Sequence, residues 1–346
     1  MRHRFDTFVR ELGDAVTLRT VALLVGTLLL SWGFIASYVG AFHDPSPHRI
    51  DVGVTGPQQA LAGVLQQLEA LPGEPVEAEE VSDRSTAAAR IEDGDLVAAL
   101  VVDGSGTQDE LLVASGAGSS LVTAVEQATT QLEAQQGRTF TTTDLVPLES
   151  GDARGLSGFY VVTGWIIGGY LMASLMGVAK GARPANPRRA AIRLAAAVPY
   201  AAIAGIGGAV IVDPWLSALT GHLWALAGLG TLLVLAAATV TTALQVIFGT
   251  VGVGLTVMLF VVLGNPSAGG AFQWQMLPAF WREVGPWLPN GAGTEALRRL
   301  VYFDGAEVAG HVAVIGAYAA AGIVVAMVAA AVLHRRGAPE HRMNAG

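Results

Sequence analysis

The chain has 346 residues, of which 52% are hydrophobic and only 14% charged, with a formal net charge of −8. That balance is too apolar for a soluble domain of ordinary make-up and marks a polytopic membrane protein. With no cysteine, disulfide staples, thiolate nucleophiles and cysteine-based metal or iron–sulfur sites are excluded.

The first apolar stretch, Thr20 to Phe42, carries no charged residue. At about 1.5 Å per residue it exceeds the roughly 30 Å hydrocarbon core. Arg2, Arg4, Arg10 and Arg19 precede it, as in a signal peptide. The run is nevertheless far longer than the usual apolar region of roughly 7–15 residues, so it reads as a span.

Residues 43–155 read as an extracytoplasmic α/β domain. Ile50, Val52 and Val54 alternate as in a half-buried strand. Pro57 opens a helix with Leu61, Val64, Leu65, Leu68 and Leu71 at helical spacing, stopped by Pro72-Gly73. A strand over Val76–Val81, a helix over Ser85–Glu92 and a central strand over Leu96–Val102 follow, then a strand over Glu110–Ala114. A helix starting at Ser119 or Ser120 puts Leu121, Val125, Ala128 and Leu132 on one face. The domain's carboxylates lack calcium-loop spacing and read as solvation of an exported surface.

Five more apolar stretches come after the domain, at Leu156–Ala179, Leu194–Val212, Leu223–Ala243, Val246–Gly264 and Val312–Leu333, none with Asp, Glu, Lys, Arg or His. The run from 223 to 264 is too long for one helix, and a tight turn at Thr241–Gln245 is expected to divide it. The fold class is thus a polytopic α-helical membrane protein with six transmembrane helices arranged one plus five. The amino-terminal segment 1–19, the loop 180–193 and the tail 334–346 hold 12 basic against 4 acidic residues, and the remainder 8 against 24. Basic segments stay inside, so both termini are expected in the cytoplasm and the domain outside the plasma membrane.

Between the last two spans, residues 265–311 are too polar to cross and unusually aromatic. Phe272, Trp274, Phe280, Trp281, Trp287, Tyr302 and Phe303 lie among Pro266, Pro278, Pro286 and Pro289. A re-entrant helical pair at the interface satisfies both features. Glu295 is at helical spacing from Arg298 and Arg299. The segment is either an interfacial anchor or a lid over a substrate path, for which Trp274, Pro278, Trp281, Trp287, Glu295, Arg298 and Arg299 are the candidate outer gate.

No nucleophile elbow, HExxH, phosphate loop or paired-histidine pattern occurs, which points away from a hydrolase and calls for no cofactor or nucleic-acid partner. His222 and His311 read as interfacial polar residues. The spans also lack the costly midplane ionisable group of ion-coupled carriers. Energy for any transport then comes from a separate ATPase, with Lys180, Arg183, Arg188, Arg189 and Arg193 as its candidate coupling loop; fixing topology would demand the same charges.

Two stretches, STAAARIEDGDLVAALVVDG from Ser85 to Gly104 and NPSAGGAFQWQMLPAFWREVGPWLPNGAGTEALRRLVYF from Asn265 to Phe303, carry a resemblance. They are similar to the helix, acidic-Gly turn and apolar strand, and to the Pro/Gly-rich stretch with its closing Ala-Leu-Arg, of type-2 ABC transporter permeases in the YhgE/Pip-like branch. The resemblance implies a half-transporter that pairs with a second permease and a cytoplasmic ATP-binding subunit, exporting its substrate between the copies. It also implies that the re-entrant pair closes the outer end and that Phe5 to Leu18 is an amphipathic helix on the inner face. The domain is far shorter than the insert of Pip-like proteins, so a phage-receptor role does not carry over. Small-residue pairs among Gly164, Gly168, Gly205, Gly208, Gly249 and Gly252 are candidates for the dimer seam. A non-transporting envelope protein, whose domain binds a partner or wall component, is the alternative.

Overall fold

The computed structural model describes residues 17–184 and 186–337. Most of the segment expected as an amphipathic helix, and the end of the tail, lie outside the described residues. Among those described, five helices are long and apolar enough to cross a membrane, and a small mixed sheet lies between the first and second of them.

Helix α1, Leu18–Phe42, starts where the Thr17 hydroxyl accepts from the Thr20 amide at 3.2 Å. The sheet strands are β1, Ile50–Thr55; β2, Val76–Glu80; β3, Ala98–Val101; β4, Gln108–Val113; and β5, Thr139–Asp144. Their spatial order is β2-β1-β3-β4-β5, antiparallel only between β3 and β4, where Ala98 pairs with Val113. Helices α2, Gln58–Glu69, and α4, Ser119–Gln136, cover one face through Leu61, Val64, Leu68, Leu121, Val125 and Leu132, against Ile50, Val52, Val54 and Leu100. Helix α3, Arg84–Glu92, covers the other with Ala87 and Ile91 against Leu96, Ala99 and Leu112. β3 is apolar and buried on both faces except at its last residue, whereas β1 buries Ile50, Val52 and Val54 in one core and leaves Asp51 exposed.

Helices α5, Ser157–Lys180; α6, Pro187–Val210; α7, Leu223–Phe248; and α11, Val308–Gly337, pack into one bundle. α7 is its centre, with Leu226, Leu233, Val234, Ala236 and Ala237 buried. The expected turn at Thr241–Gln245 is corrected: those residues lie inside α7 and all but Leu244 are buried, with Thr241 donating to the Ala237 carbonyl at 2.7 Å. The break falls at Gly249, whose φ of +63° is one that glycine adopts without strain. Beyond it, α8, Val251–Val257, runs into a wider π-helical stretch, Met258–Gly264. At about 1.5 Å per residue these residues extend about 21 Å, short of a full crossing. The expected span Val246–Gly264 is therefore partly the end of α7 and partly this shorter helix.

The glycine pairs expected at a dimer seam are partly used inside the chain. A Cβ on Gly205 would come within 2.5 Å of the Thr231 amide, one on Gly208 within 2.3 Å of the Trp165 indole, and one on Gly252 within 2.4 Å of Leu244. These glycines let the chain's own segments approach closely.

Candidate functional site

The aromatic, proline-cut segment forms a helical hairpin. After a 3₁₀ turn at Trp274–Met276, α9, Ala279–Val284, descends through a second 3₁₀ turn, Gly285–Trp287, into α10, Pro289–Tyr302. Pro278, Pro286 and Pro289 stand at the starts of these pieces, where a missing N–H costs nothing. The hairpin tip is sunk into the bundle. A Cβ on Gly293 would meet Leu233 at 2.8 Å and Val162 at 3.0 Å. Leu233 is about 15 Å along α7 from Leu223. Deeper still, the buried Asn290 donates to the Phe260 carbonyl at 3.0 Å and to Asn265 Oδ1 at 2.7 Å. The Asn290 side chain thereby ties the start of α10 to the π-helical stretch.

The carboxyl-terminal half of α10 carries the charged cluster. Arg299 Nε donates to Glu295 Oε1 at 3.0 Å, Arg298 Nη1 pairs with Glu295 Oε2, and Arg298 Nη2 donates to the Gly269 carbonyl at 2.8 Å. All three side chains are largely buried, at 11% exposure for Arg298, 16% for Arg299 and 13% for Glu295. Burial alone would raise the Glu295 carboxyl, but the two guanidiniums more than reverse it and hold the group below the usual carboxylate range. Arg299 also lies 5.5 Å over the Phe303 ring and 3.5 Å from Glu307.

The α/β domain sits on this hairpin by both faces of its sheet. Phe303 enters the core under α3, while Met276 enters the core beneath α2 and α4. The turn at Gly94 (φ +80°) lies so close that a Cβ there would come 2.8 Å from Arg299 Nη1. Ser120 at the start of α4 donates to Gln273 Oε1. Between domain and hairpin lies a cavity of about 290 Å³, lined among others by Trp274, Glu295, Arg298, Arg299, Asp51 and Asp95.

Of the expected gate residues, the structure thus gathers Trp274, Glu295, Arg298 and Arg299 around one cavity. Trp274 is fixed by its indole N–H donating to the Ser267 carbonyl at 2.9 Å. Pro278 caps α9, and Trp281 packs on Ala41 at the end of α1. At the hairpin tip Gly285 and Leu288 are buried, while Trp287 faces outward and is 70% exposed. No protein-family model matches the chain, nor does any curated protein or solved structure.

The basic loop divides into two kinds of residue. Arg193 Nη2 donates to the Gly181 carbonyl at 2.8 Å and Nη1 to the Ala182 carbonyl at 3.2 Å, closing the chain just past α5. Arg183 Nη2 donates to the Ile247 carbonyl at 2.8 Å, tying the loop to the last turn of α7. Lys180, Arg188 and Arg189 are exposed and make no ion pair among the described residues. Sequence reasoning missed Gln273, Asn290 and the docking role of Gly94. Of these only Asn290, a lone amide between Pro289 and a run of small residues, carries a sequence signal.

Proposed function

We propose that the chain is the transmembrane permease subunit of an ATP-binding cassette exporter, acting beside a second permease copy and a separate cytoplasmic ATPase. Both termini then face the cytoplasm, the α/β domain lies outside the plasma membrane, and the hairpin is a re-entrant outer gate. The observation that carries this reading is the sunken hairpin: its tip reaches the depth of Leu233 while its ends are gripped by the domain. Irregular backbone at such depth is tolerated where it packs on protein or lines a path, as a gate does. The exposed Arg188 and Arg189, at the opposite end of α5 and α6, suit an ATPase-coupling surface. Reconstituting the protein with a candidate ATP-binding cassette ATPase that co-purifies with it tests the reading. Arg188→Glu with Arg189→Glu is expected to abolish permease-stimulated ATP hydrolysis, and undiminished stimulation overturns the proposal.

A second reading, a non-transporting envelope protein, is favoured by the domain's own two-sided core. It requires the domain on a single unrelated span to retain full function; a non-functional chimera counts against it.

A further inference from the structure

We propose that the cavity of about 290 Å³ between the α/β domain and the hairpin binds a small zwitterion, a molecule with one carboxylate and one ammonium group such as an amino acid or dipeptide. The inference concerns binding alone and holds whether or not the hairpin moves.

One wall carries an excess of buried positive charge. Arg298 and Arg299 share the single buried carboxylate of Glu295. The remaining acid, Glu307, is 69% exposed and approaches only to 3.5 Å. Two guanidiniums present about ten N–H donors. Glu295 and the Gly269 carbonyl occupy a minority of them, and the buried Arg299 Nη1 has no hydrogen-bond partner among the described residues. A buried cation without its counter-charge is costly, and a monovalent anion in the cavity relieves that cost.

The other wall is the reverse. Arg49, just before β1, is taken by Glu77 of β2 at 2.6 Å, and Arg90 of α3 by Glu79 of β2 at 2.7 Å. Asp51 then has no ion-pair partner among the described residues, and Asp95 only a 4.0 Å approach to Arg90. Carboxylates left over on one side and guanidiniums on the other call for a ligand with both signs. A dianionic phosphate would be repelled by Asp51 and Asp95, and a simple cation by the two arginines. The volume is at the lower end of ligand pockets, roughly 300 Å³ and upward, which suits an amino acid or dipeptide and not a lipid. Trp274 and Phe303 supply apolar sides for its body.

The test is calorimetric titration of the full chain in detergent, without nucleotide or ATPase, so that its outcome is separate from that of the exporter reading. The probes are glycine, glycylglycine, N-acetylglycylglycine, which lacks the ammonium, and glycylglycine methyl ester, which lacks the carboxylate. Glycine or glycylglycine is expected to bind saturably, with both blocked dipeptides weaker by about tenfold or more. Asp51→Asn with Asp95→Asn, exposed side chains outside the packed core, should weaken the binding zwitterion by a similar factor. Arg299→Gln should do so from the other wall, and the aspartate pair decides the matter if that variant does not fold. Absence of binding by both zwitterions, equal affinity for the blocked forms, or unchanged affinity in the double variant each overturns the proposal.

Discussion

The hydroxyl of Tyr302 donates to Oδ2 of Asp152 at 2.9 Å, while the other carboxylate oxygen accepts from the Ser157 amide at 2.9 Å. One buried carboxylate thereby joins the end of α10 to the start of α5. Burial, followed by the charge of Asp152, raises the Tyr302 phenol and keeps it a donor at neutral pH.

Tyr302→Phe removes that donor and leaves a buried oxygen unpaired. The expected loss is about 1–3 kcal/mol of stability. Thermal unfolding in detergent, followed by tryptophan fluorescence, should show a lower midpoint. An unchanged midpoint would mean that the bond does not hold this joint.

A second buried cluster makes the domain sensitive to pH. Arg138 bridges the buried Asp109 at 3.0 Å and approaches the buried Glu133 at 3.8 Å, and one arginine serves two carboxylates. Burial first, then the neighbouring Asp109, pushes the Glu133 carboxyl up from 4.5 to about 7. The folded domain therefore holds a proton that the unfolded chain releases above its own lower value. That contribution is full below about pH 4.5 and is lost as the pH rises through about 7. Amide hydrogen exchange of β4 and β5 should report a local stability lower by about 2 kcal/mol at pH 8 than at pH 5. Glu133→Gln, which cannot titrate, should flatten this difference; an equal pH dependence in the variant would exclude the cluster as its source.

The domain's apolar strands and helices are readable from period alone, because Ile50, Val52 and Val54 or Leu61, Val64 and Leu68 each face one core. β5 is not readable: Thr139 to Asp144 is a polar, largely exposed edge strand whose pairing with β4 leaves no alternation. The α7 break was misplaced for a related reason. Thr241, Thr242 and Gln245 look like turn residues in an apolar run, yet the two threonine hydroxyls are satisfied by carbonyls one turn back in the same helix. At the site, the Glu295 pairing with Arg298 and Arg299 follows from helical spacing. The approach of Gly94, Asp51 and Asp95 to it comes from distant parts of the chain, and no local pattern encodes it.

Trp165 is the keystone of the bundle, since its indole lies between Gly208 of α6 and Gly230 of α7 and donates to the Ala204 carbonyl at 3.1 Å. Trp165→Ala should cost about 3–5 kcal/mol through the cavity it leaves. Gly230→Ala should also destabilise, because a Cβ there would come 2.3 Å from the ring in a close-packed interior. Both should lower the yield of monodisperse protein in size-exclusion chromatography. A Gly230→Ala variant with wild-type yield and midpoint would show that the bundle accommodates the methyl group.

Two glycines separate the strain of a substitution from the loss of a contact. Gly94 has φ +80° and Gly73 φ +86°, and either one changed to alanine meets a similar backbone cost of about 1 kcal/mol. At Gly73 a Cβ would have nothing within 4 Å, whereas at Gly94 it would strike Arg299 Nη1 at 2.8 Å and Phe303 at 3.0 Å. Both variants should therefore lose a similar increment of domain stability, but only Gly94→Ala should lift the domain off the end of α10. Hydrogen exchange in residues 296–303 is expected to accelerate in Gly94→Ala and to stay at the wild-type rate in Gly73→Ala. Equal acceleration in the two would trace the effect to strain within the domain and remove the Gly94 turn as the point of docking.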